Sequence, residues 1–143
     1  MGRHIIMNYT VSPSRDDLEI IAAFVLENIP DELEGHCETL KVVIEDLIDE
    51  VTEDELGLDD PFDLLALYRS GKEISPGVQR KTANDDDTLI LYRRAILDMW
   101  CDTGEDLTAI IRQVIIEELG RSFEFSEDEI LEMSQRPYQA LVA

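Results

Sequence analysis

The chain has 143 residues, with 33 Asp and Glu against 12 Lys and Arg and a formal net charge of −21. So acidic a surface repels nucleic acid and anionic membranes and suits basic partners. The apolar share of 44% is that of an ordinary globular domain, so the charge does not imply disorder, and the length suffices for one core without covalent staples.

Residues 1–13 read as a loose leader ending in Ser12-Pro13. Its Ile5-Ile6-Met7 patch is too short for a signal-peptide core. Ser14 with Asp17 has the spacing of a capping box. Leu18, Ile21, Ala22 and Val25 then recur at helical spacing until Pro30 stops the helix. Residues 31–38 read as a polar turn around Gly35, and the β-branched run in 39–46 as a strand. Thr52 with Glu55 suggests a short helical turn before Gly57 and Pro61 break the chain. Leu64 to Tyr68 is a compact apolar run, suited to a short strand or a helical turn.

Residues 71–87, rich in Gly, Pro, Ser, Asn and Asp, read as a surface excursion with a hairpin-like return. Thr88 to Arg93 is the second clear strand, and Ala95 to Cys101 a short helix. Thr103 with Asp106 looks like another capping box, followed by a stripe of Leu107, Ile110, Ile111, Val114 and Ile115. Ser126 with Glu129 opens a last short helix through Met133. Two long helices around a few short strands, without a regular βαβ rhythm, define an α+β class and a single domain over 14–134, with 135–143 as a tail. Cys37 and Cys101 stand in no C-x-x-C pattern, which fits a reducing cytosol, and no apolar run approaches membrane-span length.

Three blocks carry a resemblance. They are Gly57-Leu58-Asp59-Asp60-Pro61-Phe62-Asp63-Leu64-Leu65-Ala66-Leu67-Tyr68, the L-Y-R-R block at Leu91 to Arg94 within residues 89–100, and residues 114–130, which read VIIEELGRSFEFSEDEI. In order and spacing these resemble the small bacterial zincin-like metallopeptidases, a minimal single-domain zincin family, over nearly the whole chain. The resemblance implies an N-terminal helix, a small mixed sheet, an active-site helix and a short C-terminal helix. In that family the active-site stretch runs roughly V-x-H-E-x-G-H-H-F-G-L-S-D. Its two H-E-x-x-H imidazoles bind zinc, the Glu between them is the general base, and a later carboxylate is the third ligand. Carried over, the first His falls on Glu117, the base on Glu118, the second His on Arg121 and its neighbouring His on Ser122. The turn Gly falls on Glu124 and the acidic residue on Glu127, while Phe123 and Ser126 match.

Every departure touches the chemistry. Glu117 and Glu127 can each offer an oxygen, but the guanidinium of Arg121 stays protonated and cannot ligate. Two unit charges ~4 Å apart at an effective dielectric of about 20 repel by roughly 4 kcal/mol, and a dication by about double that. Glu117 and Arg121, at i and i+4, are instead expected to form a salt bridge across the space zinc would fill. With the turn Gly gone, the loop at Glu124 is expected to relax, and Glu118 to lie on a solvated face. His36 beside Cys37 offers a soft-metal pair, and residues 84–87 an acidic loop without the Gly and terminal Glu of an EF-hand. Tyr92 and Arg93 are candidates for an edge of the cleft.

These residues lead to a pseudoenzyme: a cytoplasmic zincin-like protein with no metal site of its own, no cofactor expected, and a protein or peptide partner, which the charge allows to be basic, in place of a substrate. Two other readings stand beside it. One is an active zinc peptidase with an atypical site that recruits a residue such as His36. The other is an acidic mimic that occupies a basic, nucleic-acid-binding protein.

Overall fold

The computed structural model describes residues 12–70 and 87–136. The chain opens with α1 (Arg15–Glu27), started by the expected capping box. Ser14 Oγ accepts from the Asp17 amide at 3.1 Å, and the Asp17 carboxylate accepts from the Ser14 amide at 2.8 Å. Leu18, Ala22 and Val25 form its buried face. The stretch read as a polar turn contains one helical turn, α2 (Asp31–Glu34), which buries Leu33.

Next come β1 (Lys41–Glu45), α3 (Glu50–Leu56), a 3-10 turn (Pro61–Asp63) and β2 (Ala66–Arg69). Asp49, one turn before the expected signal at Thr52, caps α3, its carboxylate accepting from the Thr52 amide at 2.8 Å. The run from Leu64 thus becomes a strand. The greater part of the 71–87 excursion lies outside the described residues. Then follow β3 (Thr88–Tyr92), α4 (Arg93–Thr103), α5 (Leu107–Ser122) and α6 (Glu127–Gln135). Thr103 ends α4 and does not cap α5. Asp106 does so, accepting from the Ala109 amide at 3.0 Å, because Gly104 in the left-handed region (φ 70°) has already turned the chain.

The sheet has the order β1-β3-β2, with β1 parallel and β2 antiparallel to the central β3. Leu89 and Leu91 point from β3 into the main core with Ile44 and Ala66, against α1, α5 and α6. Tyr92 points to the opposite face and, with Ile90 and Leu67, packs into a smaller cluster around Ile48 and Ala95. α5 is the central helix. Leu107, Ile110, Ile111, Val114, Ile115, Ile116 and Leu119 are all buried, so it is apolar over most of its circumference. This is the expected α+β architecture, with a small mixed sheet and a short last helix. No helix among the described residues is long and apolar enough to cross a membrane.

Among the described residues β2 is an edge strand. Because the Tyr92 amide donates to the Leu65 carbonyl at 3.0 Å, the alternation of an antiparallel pair turns the backbone groups of Ala66 and Tyr68 away from β3, toward α5. This places the candidate site.

Candidate functional site

Val114, Glu117, Glu118 and Arg121 follow at steps of three, one and three along α5 and so share one helical face. Facing them is the segment Asp63 to Ala66, and between the two lies an open cleft of about 90 Å³. Glu117, Glu118 and Arg121, grouped by their spacing in the sequence, all line this cleft.

Their pairing differs from expectation. Arg121 Nη2 lies 3.2 Å from Glu118 Oε1, one turn back at i,i+3, and this is the ion pair it makes. Glu117 accepts from Gln113 Nε2 at 3.0 Å. The expected Glu117–Arg121 bridge is therefore replaced: Glu117 is taken by Gln113, and a second acceptor, Glu118, is held in place from the other side. That hold is the amide of Tyr68, which donates to Glu118 Oε2 at 3.0 Å. The Glu118 side chain is only 15% exposed, so the residue expected on a solvated face is a strut between α5 and the sheet edge. A charge-assisted bond to an outward-facing edge amide satisfies both the amide and a half-buried carboxylate. Ser122, next to Arg121, donates its hydroxyl back to the Glu118 carbonyl at 2.8 Å.

The turn after α5 has not relaxed. Glu124 sits in the left-handed region at φ 66°, the conformation that favours glycine. The amide of Glu124 donates to the Arg121 carbonyl at 3.2 Å, and that of Phe125 to the Gly120 carbonyl at 2.9 Å. These two bonds make a Schellman cap, so the helix end holds its geometry at the cost of a strained residue. Gly120 fixes α6. A Cβ placed there would stand 2.6 Å from Ile130 Cγ1, so only glycine admits this close approach.

Glu127 is exposed in the first turn of α6. The His36 ring stacks on Phe123 with centroids 4.2 Å apart, and Tyr68 meets the same Phe edge-on at 5.1 Å. His36 thus stands at the end of α5, as a stacked ring. Cys37 does not complete a metal pair with it. Its thiol donates to the Leu33 carbonyl at 3.3 Å, and burial, with Glu34 nearby, pushes it up to about 11. Tyr92 is buried in the smaller cluster, and desolvation, then Glu45, raises it to about 12. Arg93 turns to the Pro13 carbonyl at 2.7 Å and to Asp46 at 3.4 Å. The cleft edge is therefore formed by Leu64, Leu65 and Ala66, one strand away from the residues expected there. Of the acidic loop, Asp87 is described, and it accepts from the Tyr68 hydroxyl at 2.6 Å.

Sequence reasoning missed Tyr68, Asp63 and Gln113. Tyr68 acts through its backbone amide, which no side-chain pattern reveals. Gln113, at i−4 from Glu117, had a helical-spacing signal that was available.

The sequence profile described as zincin-like metallopeptidase matches residues 37–136, and the chain belongs to that family. No curated protein matches it significantly. The family implies a zinc ion, and the residues present do not fit one. Where the resemblance puts the two imidazoles stand a carboxylate bonded to Gln113 and a guanidinium paired with Glu118. Among the described residues, no three His, Cys, Asp or Glu side chains are grouped closely enough to hold a metal.

Proposed function

We propose that this zincin-fold protein has given up peptide hydrolysis and serves as a binding module, holding a protein or peptide partner in the cytosol at the cleft beside α5. The observation that carries this reading is the double engagement of Glu118. A general base needs a carboxylate oxygen turned toward a polarised water. Here one oxygen takes the Tyr68 amide and the other the Arg121 guanidinium. The loss of both imidazoles and the cation at Arg121 support the same reading.

Metal analysis of the purified full chain, with hydrolysis of a mixed peptide pool followed by mass spectrometry, tests it. The expected result is zinc well below one per chain and no cleavage beyond that of a Glu118→Gln control. One tightly held zinc per chain, with chelator-sensitive cleavage lost in Glu118→Gln, would overturn it.

A further inference from the structure

The cleft continues past Val114 and Glu117 into a second hollow of about 210 Å³, lined also by Met99, Glu105 and Ile110. Leu65, Val114 and Glu117 border both hollows, so they form one groove along α5 beside the start of β2. Its floor is apolar, from Leu65, Val114 and Ile110, and its rim is acidic, from Asp63, Glu105 and Glu117. Arg121 is the single cationic side chain lining either hollow. Its own side chain is 57% exposed, while its guanidinium rests on the sheltered carboxylate of Glu118.

We infer that this groove docks an extended segment of a partner protein bearing arginine or lysine; the inference rests on the reading that the cleft binds without cutting. Three features select that occupant. A long basic side chain lays an aliphatic stem on apolar surface while its head reaches a carboxylate, and this groove offers that sequence of surfaces. The position of Arg121 shows, within the chain itself, that a guanidinium is held against a carboxylate of this cleft. Finally, a chain of net charge −21 steers cationic segments toward itself and repels acidic ones. Small hollows in an open groove suit one or two side chains of an extended segment, below the roughly 300–1,000 Å³ of enclosed small-molecule sites.

Fluorescence anisotropy tests this with a labelled peptide of alternating alanine and arginine, against the same peptide with citrulline, which keeps the shape and removes the charge. The arginine peptide is expected to bind and the citrulline peptide not. The variant Asp63→Asn with Glu117→Gln is expected to bind about tenfold more weakly, as roughly threefold per exposed ion pair implies. A charge-matched control, Glu19→Gln with Glu27→Gln on exposed positions of α1, is expected to change affinity less than about twofold. If the double variant loses its thermal transition, Asp63→Asn alone, on an exposed residue at the end of the 3-10 turn, is expected to cost about threefold. Equal losses in groove and control variants, equal binding of citrulline peptide, or no binding would overturn the inference. The same samples, followed for cleavage, keep it separate from the reading beneath it. A peptide bound and cut leaves the basic preference standing and removes the non-hydrolytic reading, whereas one neither bound nor cut does the reverse.

Discussion

One side of α5 carries Ile111, Ile115 and Leu119 at full burial with Gly120 against α6, and the other carries Glu117, Glu118 and Arg121 along an open cleft. The buried side is fixed by packing, down to a glycine that no other residue can replace without moving Ile130. The cleft side carries ordinary polar contacts: Glu117 with Gln113, and Glu118 with Arg121 and the Tyr68 amide. Removing atoms from a close-packed interior costs several kcal/mol, while exposed polar substitutions seldom cost more than a few tenths. A helix can therefore change its polar residues along one stripe and stay folded through the other.

The largest expected effect tests the buried side. Leu119→Ala should destabilise the fold by about 2–5 kcal/mol in urea unfolding, since the side chain is fully buried beside the cleft face. A loss below about 1 kcal/mol would show that the packed stripe is looser than its burial implies. Glu118→Ala comes next, at about 1–3 kcal/mol, because it strands the Tyr68 amide and removes the partner of Arg121. Glu118→Gln keeps an acceptor for that amide and should cost less. Hydrogen exchange at the Tyr68 amide, faster in Glu118→Ala than in Glu118→Gln, separates the strut from a general charge effect.

Smaller and of opposite sign, Glu124→Gly should raise stability by roughly 0.5–1 kcal/mol by relieving the left-handed conformation. No gain would mean the strain is balanced by contacts of the Glu side chain. Smallest is an acid effect away from the cleft. Bonds from Arg136 to both Glu32 oxygens, at 2.9 and 2.6 Å, hold that carboxyl down to about 2 from its usual 4.5. Its folded value lies below the unfolded one. The stabilisation is therefore full above about pH 4.5 and fades as pH falls toward 2. Both side chains are partly exposed, so the contribution stays under ~1 kcal/mol, and Glu32→Gln should flatten this part of the stability profile.

Much of the fold was legible because its signals are local. The capping boxes at Ser14 and Ser126 and the apolar stripe of α5 depend on residues three or four apart. Strand character at Val42 to Ile44 and Leu89 to Leu91 follows from branched and alternating residues. The site was half legible. Helical spacing grouped Glu117, Glu118 and Arg121, but their pairing depended on a backbone amide fifty positions earlier in the chain, and no spacing rule reaches that far. Glu124 misled for a related reason. A residue's dislike of the left-handed region is set against two cap hydrogen bonds and the docking of α6, and these together decide the turn.

Within the core, Arg112 is 7% exposed and donates to the carbonyls of Ser134 at 3.0 Å and Met133 at 3.4 Å, at the end of α6. A cation inside the protein thus reads the finish of the last helix. Shortening the chain to before Met133 would strip two acceptors from a buried guanidinium, in addition to removing apolar contacts. The smallest fragment expected to fold therefore runs through Ser134, and any fusion or tag at this end is best attached beyond Arg136, which ties the same helix to Glu32.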